Sequence, residues 1–475
     1  MTKPKSTKNP LKHLRASDAR AIAQLATQAT TGVVNIAEGV HQSVWQTLGV
    51  KGGKAPGQTG GITGLVYQSV RGVTQLVGKG LDTLLTRLQP VFEAADHAAP
   101  GTPQREAVLA ALNGVLGDRL AESRSPLATR MSLRYEGAAI DWQALPPDLS
   151  DKATRKLLVL IHGLCMNDLQ WQRPPVILNE ASNELQRQTS HGATLASALG
   201  YTPVYVRYNS GLHTSQNGAE FSALLEQLVA HWPLPVEELT VVAHSMGGLV
   251  TRSALHQAKE QQNDLRDEPS EPSEPSEPSR TGGPVKTALR WPSLLKNIVF
   301  LGTPHHGAPL ERAGNWVDMI LGSTRYSKPF ARLAQLRSAG ITDLRYGHVV
   351  TADWEGHDRF RKKPDSRVHV PLPEGVACFT VAATTAATAL TASRGSSVAE
   401  QLIGDGLVPV ASALGLHDDP QRNLVFDEKS LLIACRTNHM QLLSSPVVSQ
   451  QIVAWLSPKL SSKVSPKINS KSRPS

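Results

Sequence analysis

Apolar residues recur along this chain at two different periods, and the change of period divides it. They fall first at Ile22, Leu25, Ala29, Val33, Ile36, Val40, Val44 and Leu48, steps of three and four that predict an amphipathic helix. Glycines and Pro56 between Lys51 and Gly61 break that pattern. A second stripe runs through Ile62, Leu65, Val66, Val73, Leu76, Val77, Leu81, Leu84, Leu85 and Leu88. The weak repeat of Thr31-Gly32-Val33-Val34 in Thr63-Gly64-Leu65-Val66 suggests that the two form a helical hairpin, and a third helix is predicted from Gln104 to Ala121. Such stripes either pack on one another and on the next domain or touch lipid. Their polar faces carry Gln, Thr, Asn and His where interfacial helices carry Lys and Arg, which favours packing.

From about residue 125 the rhythm changes. Leu157-Leu158-Val159-Leu160-Ile161 is a continuous apolar run, the pattern of a parallel strand covered on both faces. The signal repeats at 203–206, 239–242, 297–301, 378–381 and 431–434, with helical segments such as Ala219–Trp232 and Gly247–Gln262 between. That alternation predicts a mostly parallel α/β sheet flanked by helices. Four Glu-Pro-Ser repeats between Asp267 and Ser279 have nothing apolar to bury and a proline every third residue. They read as an extended or disordered surface insertion spanning 264–283, open to phosphorylation or simply tolerated. The long, loop-rich stretch 305–375, with Trp316, Met319, Ile320, Leu321, Tyr326 and Phe330, suits a cap over a site. The resulting division is a tail (1–20), a helical N-terminal extension (21–124), an α/β domain (125–457) and a second tail (458–475).

Charge alters this picture less than its total suggests. The chain of 475 residues carries a formal net charge of +9, but the excess sits in the tails: Lys3, Lys5, Lys8, Lys12, Arg15 and Arg20 at one end, and Lys459, Lys463, Lys467, Lys471 and Arg473 at the other. A near-neutral body argues against specific nucleic-acid binding and leaves loose contact of the tails with an anionic membrane surface. Cys165, Cys378 and Cys435 lie in apolar runs, as small core residues in a reducing compartment do. No secretory leader or membrane span is legible, so the expected place is the cytoplasm, peripheral to a membrane at most.

The chemistry centres on Leu239-Thr240-Val241-Val242-Ala243-His244-Ser245-Met246-Gly247-Gly248, a strand that stops at small-x-Ser-x-Gly and becomes a helix. That is the layout of a nucleophile elbow, where a tight turn lifts a serine hydroxyl above a helix N-terminus. A serine needs an imidazole to take its proton and a carboxylate to orient that imidazole. Asp405, between Gly404 and Gly406 after a predicted strand, and His439, after the last predicted strand, supply them in the order this arrangement requires. Asp343, Asp353, Asp418 and Asp427 are rival acids. Oxyanion donors are expected at the backbone N–H of Met246 and of Leu164, in the loop Ile161-His162-Gly163-Leu164. His162 reads as fixing that loop with Gly163, and His244, Thr303, His305 and His306 as lining or shaping the pocket. No ligand spacing or phosphate loop implies a metal, a nucleotide or another cofactor.

Together, Ile161-His162-Gly163-Leu164, Ala243-His244-Ser245-Met246-Gly247-Gly248, Leu301-Gly302-Thr303-Pro304-His305-His306-Gly307 and Gly404-Asp405-Gly406-Leu407-Val408-Pro409 resemble the α/β-hydrolase superfamily. Within it the chain looks most like bacterial lipase-like esterases, a group similar to the inositol-deacylase hydrolases. The resemblance covers roughly 130–457. It implies an α/β-hydrolase fold with a cap insertion and a serine carboxylester hydrolase for lipid-like or other apolar acyl esters. Ser245 would be nucleophile, Asp405 acid and His439 base. An acyltransferase could use the same three residues, and a non-catalytic scaffold is the third reading. Two departures stand out: Ala243 replaces the commoner elbow glycine, and the Glu-Pro-Ser insertion follows the elbow helix.

Overall fold

A computed structural model of the chain describes residues 103–172, 190–267, 288–308, 338–357, 365–388 and 404–457. The predicted helical hairpin, both basic tails, nearly all of the Glu-Pro-Ser insertion and the aromatic part of the predicted cap lie outside these residues.

Eight strands form one sheet: β1 (Ser132–Tyr135), β2 (Ala138–Ala139), β3 (Lys156–Ile161), β4 (Thr202–Arg207), β5 (Glu238–His244), β6 (Leu295–Leu301), β7 (Ala377–Ala383) and β8 (Leu431–Ala434). Their order is β2-β1-β4-β3-β5-β6-β7-β8. The β1–β2 hairpin joins β4 antiparallel, and all pairs from β4 to β8 are parallel. The longer helices are α1 (Pro103–Glu122), α2 (His191–Leu199), α3 (Thr214–His231), α4 (Met246–Asp267), α5 (Ala339–Tyr346) and α6 (Pro446–Leu456).

The continuous apolar runs are explained by burial on both faces. In β3, Leu157, Val159 and Ile161 enter one core, while Leu158 and Leu160 enter the other. Phe221 and Leu225 of α3, Leu249 and Val250 of α4 and Ile341 of α5 cover the first face. Leu195 of α2 and Val448 and Ile452 of α6 cover the second. Each such side chain contributes about 1.5–3 kcal/mol when fully buried. The small Ala243 is wholly buried in the first core, opposite Ile161 and Phe300.

Helix α1, predicted as the last helix of the N-terminal extension, packs into that same first core through Ala111, Val115, Leu116 and Leu120. It also braces the loops after β3 and β4. Asn167 Nδ2 donates to the Glu106 carbonyl at 3.0 Å and Asn209 Nδ2 to the Gly117 carbonyl at 2.9 Å. Arg207 pairs with both Asp168 and Glu106. The strands β1 and β2 and the helices α2 and α5 had no counterpart in the apolar pattern. Among the described residues, no helix is long and apolar enough to cross a membrane.

Candidate active site

After β3 the chain crosses to β4 on one side, then returns to β5 on the other. Loops leaving the carboxyl ends of β3 and β5 therefore part there, at the switch point where open α/β sheets bind ligands. Ser245 directly follows β5 at this place. Its φ of +54° lies in the left-handed region, costly for a residue with a side chain. The turn is held by its N–H, which donates to the Leu301 carbonyl at 2.8 Å, and by its carbonyl, which accepts from Gly248 at 3.0 Å. The neighbours are small of necessity. A Cβ on Gly163 would lie 2.9 Å from Ser245 Cβ, and one on Gly247 would lie 2.7 Å from the His162 carbonyl oxygen.

The ends of β7 and β8 deliver the other two groups. Asp405 follows β7, and its Oδ1 accepts the N–H groups of Leu407 at 2.9 Å and Val408 at 2.8 Å. Its Oδ2 accepts from Nδ1 of His439, which follows β8, at 2.6 Å. The His439 N–H donates to the Asp405 carbonyl at 3.1 Å. Both side chains are about 1% exposed, so this is a dry pair with one imidazole nitrogen, Nε2, left over. Gly302, at φ +58° just after β6, closes the arrangement from below. A Cβ there would sit 3.1 Å from His439 Nδ1 and 3.2 Å from Asp405 Oδ2. Sequence reasoning did not single out Gly302, although a glycine directly after a strand is the signal of such a close approach. No hydrogen bond joins Ser245 Oγ to His439 among the described residues. In ligand-free sites such contacts are often long and tighten when substrate binds.

Residues 151–307 match the family model described as "Putative serine esterase (DUF676)". No curated protein matches the chain. Among solved structures, the mature form of lipase BlEst2 from Bacillus licheniformis is similar at 15% identity, covering 64% of this chain and 92% of that one, with a TM-score of 0.35. Lipase 1 from Pelosinus fermentans is similar at 15% identity, covering 63% and 97%, with a TM-score of 0.34. A lipase-esterase related protein from Clostridium acetobutylicum is similar at 10% identity, covering 64% and 94%, with a TM-score of 0.29. By its own topology, with parallel strands from β4 to β8 and helices on both faces, the chain has an α/β fold. The segment matched to the esterase family holds Ser245 and the loop after β3 but ends before Asp405 and His439.

The other residues singled out in the sequence have varied surroundings. Leu164 lies in the loop after β3 and is 1% exposed, and Met246 opens α4 directly after Ser245. His162 is fully buried; its Nδ1–H donates to the Gly163 carbonyl at 2.8 Å, and its ring stacks on Tyr208 at 4.3 Å. Burial lowers its pKa to about 4, so it is neutral at pH 7. His244 is fully buried too, and burial with the neighbouring His439 holds its pKa well below the ordinary value. Thr303 packs beneath the elbow helix, where a Cβ on Gly248 would meet its Oγ1 at 2.1 Å. His305 is wedged between Phe300 and Phe426 and kept neutral by burial. His306 is half-buried; its Nε2 bonds to the Gly415 carbonyl at 3.0 Å, and burial lowers its pKa to about 4. Of the rival acids, Asp418 and Asp427 are exposed. Asp353 accepts three backbone N–H groups, from Val349, Val350 and Val368. Asp343 binds His213 and His348.

Proposed function

We propose that the protein is a serine carboxylester hydrolase that cleaves apolar, lipid-like acyl esters through an acyl-enzyme on Ser245. The observation that carries this reading is the 2.6 Å hydrogen bond between Asp405 and His439 at the strand ends beside the elbow serine. Asp405 fixes the Nδ1–H tautomer, so Nε2 carries the lone pair that takes the Ser245 proton. Ser245 Oγ attacks the ester carbonyl carbon, and the carbonyl oxygen gains negative charge. The Met246 N–H, at the positive end of α4, and the Leu164 N–H are the proposed donors to that oxygen. The imidazolium returns its proton to the departing alkoxide. Water then repeats the sequence and frees the acid. Support for an apolar acyl group comes from the surrounding side chains. Met166, 3.3 Å from where a Cβ on Gly163 would stand beside Ser245, and Leu442, beside Gly302, are apolar, while His162 and His244 are uncharged.

The test is a panel of fluorogenic esters from acetyl to long-chain, run with Ser245→Ala and a fluorophosphonate probe. Wild-type protein is expected to turn over the esters and take the label, and Ser245→Ala to do neither while staying folded. Label persisting on Ser245→Ala would overturn the assignment. Product analysis with an added alcohol separates hydrolysis from acyl transfer.

A further inference from the structure

His439 has four polar atoms that can be held, and three of them are. Its N–H and Nδ1 both go to Asp405, on the loop after β7. Its carbonyl oxygen accepts a hydrogen bond from Nε2 of His244, at 3.0 Å and 195 residues away in sequence. His244 is the last residue of β5, immediately before Ser245. Asp405 can fix the imidazole relative to β7, but it says nothing about where Ser245 lies. Among the described residues, the bond from His244 is the direct polar link between the elbow and the loop that carries His439.

We infer that His244 is a positioning residue. Its imidazole spans from the elbow to the backbone of the general base, and so sets the distance between Ser245 Oγ and His439 Nε2. The inference rests on the triad reading above. Three further observations suit the role. The ring lies 4.6 Å from that of His439 at 47°, so the two imidazoles restrain each other's tilt. Its Nδ1 is buried without a partner, against Gly163 of the oxyanion loop, where a Cβ would come within 3.1 Å. It is therefore a neutral Nε2–H donor, and it places no second positive charge beside the imidazolium that forms on His439. A Lys or Arg could donate the same bond but would oppose that charge. A hydrophobic residue would fill the space and leave the carbonyl free to drift.

The experiment compares His244→Phe, His244→Gln and His244→Asn with wild type and with His439→Ala, measuring kcat, KM and thermal unfolding on a short-chain ester. Phe keeps a ring but has no donor. The Gln amide nitrogen falls where Nε2 was, and the Asn amide falls short of it. A misplacement approaching 1 Å costs on the order of 100-fold in rate. The expected result is a kcat roughly 10- to 100-fold lower for Phe and Asn, KM within about threefold, and Gln recovering most of kcat. If Phe does not fold, the Gln–Asn pair carries the test alone. Equal kcat in Gln and Asn, or full kcat in Phe with only a lower unfolding temperature, would overturn the inference and make His244 a packing residue. Full activity in His439→Ala would instead overturn the triad reading, whatever the His244 variants do.

Discussion

Among the described residues, two buried carboxylates accept from imidazole Nδ1 atoms, and they do different things. Asp405 takes one imidazole, His439, on Oδ2 and two loop amides on Oδ1. Asp343, in α5, takes His213 at 3.1 Å, His348 at 3.0 Å and the Thr214 N–H at 2.7 Å. His213 stacks on Trp354 at 3.6 Å, and His348 stacks on Tyr346. So the Asp343 cluster ties α5 to the first turn of α3 and to the turn after α5. In the Asp405 cluster Nε2 of His439 bonds to no described residue, and His244, which binds the His439 carbonyl, immediately precedes Ser245 in its left-handed turn. An Asp–His hydrogen bond is thus common to a clamp and to a proposed catalytic pair. What separates them is the neighbour: His439 is bonded through its carbonyl to His244, next to the elbow serine, whereas His213 and His348 tie α5 to α3 and to the turn that follows it.

That contrast breaks most sharply at Asp405. Asp405→Asn keeps the shape but lets the amide favour the wrong imidazole tautomer. The loss recorded for that change in a serine protease is about 10⁴, and turnover here is expected to fall on the order of 10²–10⁴. Thermal unfolding should move less than in Asp343→Asn, which loses two imidazole bonds instead of one. Kinetics and calorimetry on one preparation check both halves, and near-full turnover would remove Asp405 from the triad.

Asp343→Asn should give the mirror image. Two imidazoles and a helix-terminal amide lose a charged acceptor, at a cost of about 2–3 kcal/mol in stability, while turnover of the folded fraction stays within about tenfold. Full burial would raise the Asp343 pKa, but the hydrogen bonds from His213 and His348 outweigh it and leave the pKa lowered from 3.8. A lowered folded pKa means the unfolded carboxyl binds its proton first on acidification. The stability contributed by Asp343 is therefore complete above the unfolded pKa near 3.8, and is lost as the pH falls from there through the lower folded value. Denaturant titrations of wild type and Asp343→Asn between pH 6 and pH 3 should converge at the acid end. Parallel curves would show that the clamp does not act through the charge.

What could be read from the sequence follows the same division between local pattern and distant contact. The central strands were legible because double burial makes a run such as Leu157–Ile161 apolar throughout. The elbow was legible because small residues crowd around one serine, and Asp405 stood out through its flanking glycines. The β1–β2 hairpin was not, since four and two residues are too few to establish an alternation. Helix α2 escaped because its nine residues hold two leucines among alanines and a glycine, although Ser190 caps its start and Gly200, at φ +73°, ends it. His244 was legible as a pocket residue but not as a partner of the His439 loop, and His213 was indistinguishable in sequence from any other histidine. Their bonds reach across 195 and 130 residues, and nothing periodic records a contact of that kind.

The smallest expected effects belong to the remaining carboxylates, and they test whether burial or mere presence of an acid matters. Asp353 is 7% exposed and holds three backbone amides, so Asp353→Asn forfeits part of one loop's support. A cost of about 1 kcal/mol in stability is expected, with turnover changed less than tenfold. Asp427 is exposed, and its Oδ1 accepts only the Lys429 N–H at 3.0 Å, as the cap of a short turn. Asparagine caps such turns as well as aspartate does. Asp427→Asn should therefore leave stability within about 0.5 kcal/mol and turnover unchanged. A collapse of turnover in Asp427→Asn while Asp405→Asn stayed active would place the acid on the loop before β8, and the pairing of Asp405 with His439 would then be one more clamp.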